Sequence, residues 1–180
     1  MEFQKTLDQR KSTRSFNSKK ISVSSLKQLI ADGTKAPSNN NSQPWFFYVI
    51  NKKDQIDLIK KTIRETKKIT DKKYFYFNLG NTQAIIFVCI NKKDLENKDH
   101  KNSYLLSIGA CVENILLSAE NKGISSCWIG HFENYRSKFK EKLKIDSKHI
   151  IVVGIILGYS NEKTNRKTPR KKIEEVLSFL

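Results

Sequence analysis

Ala36-Pro37-Ser38-Asn39-Asn40-Asn41-Ser42-Gln43-Pro44-Trp45 runs directly into the apolar stretch Phe46-Phe47-Tyr48-Val49-Ile50. Two prolines fix φ and remove backbone donors, so no helix passes through this segment. Between them stand short amides and hydroxyls, which can reach a ligand with little loss of rotamer freedom. The same composition also suits an ordinary polar loop between a helix and a strand. Phe46 to Ile50 reads as a buried strand. A second cluster lies upstream, at Arg10-Lys11-Ser12-Thr13-Arg14-Ser15-Phe16, with three cations and three hydroxyls in seven residues. Taken alone, it is also what a basic helix end looks like, where cations complement the macrodipole.

Working outward, the punctuation alternates between helices and strands. Phe3 and Leu7 suggest a short helix ending near Arg10. Ser22, Ser24 or Ser25 can cap a helix with Leu26, Leu29 and Ile30 on one face, Gly33 in its last turn and Pro37 as its stop. Asp54 can cap a third helix with Ile56, Ile59 and Ile63 inward. Thr66 to Leu79 is lysine-rich and then aromatic, and takes no clear assignment. Ala84 to Ile90 is continuously apolar, as a strand covered on both faces should be. A charged loop is expected from Asn91 to Asn102. The clearest helix follows: Tyr104, Leu105, Ile108, Cys111, Val112, Ile115, Leu116 and Ala119 keep helical spacing until Gly123. Phe132, Tyr135, Phe139 and Leu143 suggest one more helix, and Ile150 to Leu157 another strand. The class is α/β or α+β.

The bulk numbers bound the rest. A chain of 180 residues suits one domain, spanning 1–180, with a sizeable core. No apolar run reaches a membrane span and the first residues carry no apolar leader, so a cytoplasmic location and no membrane partner are expected. Cys89, Cys111 and Cys127 sit in apolar runs and fit buried free thiols. His100, His131 and His149 stand alone, so no metal site is expected. The net charge of +16 favours polyanions in general. Most of it, however, is lysine pairs such as Lys52-Lys53 and Lys60-Lys61, interspersed with Asp, Glu and Asn, which reads as a solvated surface. Arg10, Arg14, Arg166 and Arg170 gather instead in the terminal segments, where a planar fork suits phosphate.

In this order and spacing, the motifs resemble the FMN-dependent nitroreductase family. That family opens with an Arg-Arg-Ser-x-Arg-x-Phe type motif, matched here by Arg10, Ser12, Arg14 and Phe16, with Lys11 in the second position. Its Ala-Pro-Ser-x-x-Asn-x-Gln-Pro-Trp type motif is matched by Ala36, Pro37, Ser38, Asn41, Gln43, Pro44 and Trp45. Gly109 to Ala119 looks like the family's central helix, and Gly123-Ile124-Ser125-Ser126-Cys127-Trp128-Ile129-Gly130 like its flavin-facing segment. The resemblance runs from about Phe3 to Val176. It implies an α+β nitroreductase-like fold, with a central mixed β-sheet flanked by helices. It also implies a C-terminal tail exchanged across a homodimer, and the apolar Leu177, Phe179 and Leu180 suit such burial.

The resemblance further implies FMN as cofactor and a set of roles. Arg10 and Ser12 would bind the phosphate, Lys11 would add backbone or ribityl contacts, and Arg14 would stand at the pyrimidine edge. Pro37, Ser38, Asn39, Asn41 and Gln43 would come from the opposite subunit, Gln43 serving equally as a clamp within its own loop. Trp128 and Ile129 would pack on the ring, with the Gly130 N–H at N5; the residue-level alternative is a helix exit followed by a strand. Gly130 and Arg14 would carry the catalytic part. Arg170 and Lys171 match the family's C-terminal phosphate contact before Ile173-Glu174-Glu175. The usual basic residue two positions earlier is Thr168 here, for which Lys167 can substitute. Trp45 reads as core, Cys127 as packing and His131 as structural or acceptor-facing.

Three readings follow. The first is a flavoenzyme moving electrons from NAD(P)H to a small organic acceptor such as a nitroaromatic or quinone, by a ping-pong scheme. No Gly-x-Gly-x-x-Gly motif is present, so the nicotinamide would bind transiently over the flavin. The second keeps fold and FMN but serves flavin storage or breakdown. The third is a basic nucleic-acid-binding module, to which only Lys72-Lys73-Tyr74-Phe75-Tyr76 points; on balance no nucleic-acid partner is expected.

Overall fold

The computed structural model describes residues 2–67, 79–162 and 168–180. The aromatic cluster at Tyr74 to Phe77, and both Arg166 and Lys167, fall outside them. At the centre stands a four-stranded sheet in the order β1-β2-β4-β3. Its strands are β1 (Trp45–Ile50), β2 (Ala84–Asn91), β3 (Ser125–Ile129) and β4 (His149–Gly158). All three pairings are antiparallel. Among the described residues, the parallel component expected of a mixed sheet is a single bridge between Ser12 and Ser126. The fold is α+β.

Side-chain alternation along β2 explains the two cores. Ala84, Ile86, Val88 and Ile90 face one side, under α2 (Val23–Gly33) and α5 (Lys101–Asn121). Ile85, Phe87 and Cys89 face the other, under α3 (Lys53–Lys67) and α6 (Arg136–Leu143). A register shift between Val88 and Cys89 lets β4 send Val153 to the first core and Ile151 to the second. Ile56, Ile59 and Ile63 point inward from α3 as their spacing requires. Asp54 lies inside the first turn of α3, two positions beyond the cap position at Lys52.

Two expectations change. β1 is not buried throughout: among the described residues it pairs only with β2, and Phe46 and Val49 are exposed while Ile50 is buried. Nor is Asn91 to Asn102 a loop throughout. Asn91 accepts the Lys93 N–H at 3.3 Å and starts a short helix, α4 (Lys92–Glu96). Asn97 then accepts the Asp99 and His100 N–H groups at 3.1 Å, turning the chain into α5. Asparagine side chains that satisfy backbone donors account for both features.

Helices α2 and α5 meet closely. A Cβ on Gly33 would stand 2.6 Å from Cγ1 of Ile115. Beside this contact the Ser118 hydroxyl donates to Asp32 Oδ2 at 2.7 Å. That bond, followed by those from Lys35 and Gln28, pulls the Asp32 carboxyl down to about 2 against the opposing effect of burial. A depressed carboxylate contributes stability above its ordinary value of 3.8 and loses it as the pH falls towards about 2. Ser118→Ala should therefore cost about 1.5–3 kcal/mol at neutral pH, the worth of a hydrogen bond to a charged group. It should also flatten the acid limb of the stability profile. Urea unfolding across pH 2 to 7 checks this, and parallel acid limbs for both proteins would contradict it.

Candidate active site

The first motif follows the end of α1 (Phe3–Gln9), where Arg10 caps the helix and its N–H returns to the Thr6 carbonyl at 2.9 Å. From there the chain runs extended along the open edge of β3. Ser12 bridges Ser126, and the Thr13 N–H donates to the Ser126 carbonyl at 2.9 Å. Phe16 then lies against the backbone of Gly158, where a Cβ would come within 2.5 Å of its ring. The Asn17 N–H bonds to the Tyr159 carbonyl at 2.7 Å and closes the segment onto the end of β4. These anchors fix Arg10, Lys11, Ser12 and Arg14 beside the Ser126–Cys127 part of β3, the strand that leads on to Trp128 and Gly130. Residues more than a hundred positions apart thus share one edge of the sheet.

Charge at this edge is arranged in layers. Arg10 Nε stands 3.7 Å from Glu113 Oε1 on α5. Burial raises the Glu120 carboxyl, and Lys11 and Arg10 oppose that rise. Arg14 Nη1 reaches the Ser12 carbonyl at 3.5 Å. Burial likewise pushes the Cys127 thiol up, opposed by Arg14, by a hydrogen bond from Ser12 and by Arg10. The thiol therefore stays protonated, as a packing residue does. Cys89 and Cys111 are buried free thiols too, each pushed up to about 12.

Alternation along β3 divides Trp128 from Ile129. Trp128 leaves its indole 41% exposed, whereas Ile129 is buried in the second core. The two side chains therefore face opposite sides of the sheet. Gly130 opens the 3-10 turn Gly130–Tyr135, and a Cβ added to it would meet nothing within 4 Å.

The second motif sits elsewhere in the same chain. Its 3-10 turn, Asn39–Asn41, docks on α5 through the Asn39 N–H, which donates to Ser107 Oγ at 3.2 Å. Ser38 Oγ accepts the Gln43 N–H at 3.0 Å, and Gln43 Nε2 returns to the Asn41 carbonyl at 3.4 Å. Gln43 is thus a clamp within its own loop. Asn40, Asn41 and Gln43 all hold positive φ, at 50°, 53° and 45°. Ser107 and Glu113 are six residues apart, roughly 120° around α5 and about 9 Å along it. The loop and the basic segment therefore occupy different faces of one helix. Arg170 and Lys171 lie in the exposed tail 168–180, which makes a 3-10 turn at Ile173–Glu175.

Sequence reading passed over Ser107 and Glu113. Glu113 stands there only inside the Gly109 to Ala119 helix motif. The available signal was a charge at position 113 among the small and apolar residues of α5.

The nitroreductase family model matches residues 7–159, nearly the whole of this arrangement. The chain belongs to the nitroreductase family. Among its relatives, an Archaeoglobus fulgidus protein named for NADH dehydrogenase and NAD(P)H nitroreductase activity is 28% identical over 156 residues, covering 86% of this chain and 83% of that one. A 4-nitrobenzoate reductase of Nocardioides sp. (strain LMS-CY) is 23% identical, covering 95% and 87%. A nitroreductase from Bacteroides fragilis NCTC 9343, crystallised with FMN, superposes with a TM-score of 0.82 at 19% identity, covering 100% of this chain and 99% of that one. A BluB-like flavoprotein from Clostridium difficile 630 gives 0.81 at 23%, with the same coverage. These two likenesses concern the nitroreductase fold. Among the described residues, no helix is long and apolar enough to cross a membrane.

Proposed function

We propose that the chain is an FMN-dependent oxidoreductase that takes electrons from NAD(P)H and delivers them to a nitroaromatic, quinone or similar organic acceptor. The observation that carries this reading is the pinning of Arg10, Ser12 and Arg14 beside Ser126 and Cys127 of β3, the strand that leads on to Trp128 and Gly130. The donor set fits the group. A guanidinium and a hydroxyl suit a phosphate dianion, an exposed indole suits a flat ring, and Arg14 supplies a cation for the electron-rich edge. FMN, when bound, supplies the hydride chemistry.

The protein's own part is positioning and charge. Arg10 and Ser12 hold the phosphate, with Arg170 and Lys171 as the contribution of the tail. Lys11 lies along the ribityl side. Arg14 balances negative charge at the pyrimidine end, and Gly130 offers a backbone donor where a larger residue would fill the space. Such donors are fixed before reaction begins, so no reorganisation is needed. Pro37, Ser38, Asn39 and Asn41, with Gln43 holding their loop, act on the site of a second copy. This placement suits a loop seated on a different face of α5 from Arg10, and it makes the homodimer the working unit. Leu106, 76% exposed on α5, and the exposed tail residues Val176, Leu177, Phe179 and Leu180 provide apolar surface for that contact. No side chain is required as an acid, base or nucleophile, so donor and acceptor use the site in turn.

The visible spectrum of the purified protein tests the reading. A flavin absorption that bleaches on NADPH or NADH and returns with a nitroaromatic or quinone is expected, together with parallel initial-rate lines. A colourless protein that takes up no FMN would refute it. Flavin that NAD(P)H leaves oxidised would leave only the storage or breakdown reading.

A further inference from the structure

Arg10 is held at its backbone by the end of α1. Its side chain still has a long flexible stem, so a guanidinium aimed at a phosphate needs a second fixed point. Helix α5 provides one. Glu113 and Glu120 are seven residues apart, two turns along nearly one face. They oppose two of the motif's three cations: Glu113 stands 3.7 Å from Arg10 Nε, and Glu120 lies in the field of Lys11 and Arg10. The contact at Glu113 is to Nε, which leaves the terminal nitrogens available for an anion. The Arg10 side chain is 22% exposed, so this contact lies at a partly dry seam between α1 and α5.

We infer that Glu113 is a positioning residue that acts on the FMN phosphate through Arg10. It holds the inner edge of the guanidinium and so presents the outer edge as a fork. This inference rests on the FMN reading above. Glu113 is not itself a ligand, since a carboxylate repels a phosphate. Its effect must therefore depend on the phosphate being present and on Arg10 being there to transmit it. Glutamine should serve nearly as well as glutamate, because it keeps an oxygen near Nε and removes a negative charge from the phosphate's surroundings.

Dissociation constants for FMN and riboflavin, from flavin fluorescence titrations of the full-length chain stripped of flavin, provide the test. Glu113→Ala should weaken FMN about two- to fivefold, within the range of half-exposed ion pairs, and leave riboflavin unchanged. Glu113→Gln should return FMN affinity to near the wild-type value. In an Arg10→Ala background, Glu113→Ala should have no further effect. Tighter or unchanged FMN binding in Glu113→Ala would overturn the inference, as would an equal loss for riboflavin, which marks a merely structural role. An equal loss in the Arg10→Ala background would overturn it as well. If the wild-type chain binds riboflavin and FMN equally, the phosphate role of Arg10 falls first, and this inference falls with it.

Discussion

Arg10→Ala should weaken FMN binding by about 10- to 150-fold, equivalent to about 1.5–3 kcal/mol for a hydrogen bond to a charged group. The backbone at position 10 is fixed by the end of α1, so alanine leaves the chain path unchanged. What is lost is a cation half-buried against α5, whose described ion-pair partner is Glu113. Removing it also leaves Glu113 and Glu120 without their neighbouring guanidinium, which adds to the repulsion that an incoming phosphate meets. Riboflavin lacks the phosphate and should bind the variant and the wild type alike. Equilibrium dialysis with both flavins reads the difference directly. Unaltered FMN affinity would remove Arg10 from the phosphate site, and an equal loss for riboflavin would assign the effect to local structure.

The local grammar of this chain was legible for definite reasons. Ser22 accepts the Ser25 N–H at 3.1 Å and starts α2 as its spacing predicts. Gly123 takes a φ of 67° and ends α5, with the Ile124 N–H returning to the Ala119 carbonyl at 2.8 Å. Both effects lie within a few residues along the chain. The exposure of β1 was not legible, because an apolar run reports affinity for burial and not whether a neighbouring strand exists. The 91–102 segment misled for a different reason. Its charges suggested a loop, while Asn91 and Asn97 were already arranged to start helices.

The site was half legible. Motif order placed Arg10, Ser12 and Arg14 with Trp128 and Gly130, and the Ser12 to Ser126 bridge joins those two segments. Trp128 and Ile129 point to opposite faces, because β3 keeps the two-residue period of a strand, a fact that motif matching alone does not register. Ser107 and Glu113 escaped because their partners, Asn39 and Arg10, are brought to α5 by tertiary packing alone.

Gly154→Ala should be the most damaging small substitution in the molecule. A Cβ at Gly154 would stand 2.0 Å from Cδ2 and 2.3 Å from Cε2 of Phe132. Contact that close forces either the ring or the strand to move. Neither has free room. Gly154 lies inside β4, paired with Phe87 on one side and Ile129 on the other. Phe132 is fully buried and meets Phe87 and Phe139 edge-on at 5.4 and 5.5 Å. Overpacking of such a core costs about 1–3 kcal/mol, which for a chain of this size lowers Tm by about 2–12 °C. The displacement reaches the site as well, because Phe132 belongs to the turn that Gly130 begins. FMN affinity should therefore fall together with Tm. Phe132→Leu offers the decisive control. Alone it leaves a cavity and destabilises, but combined with Gly154→Ala it makes room for the new methyl group. The double variant should then be more stable than the sum of the two single effects allows. Additive losses in thermal unfolding would show that the ring of Phe132 is not what makes glycine necessary at position 154.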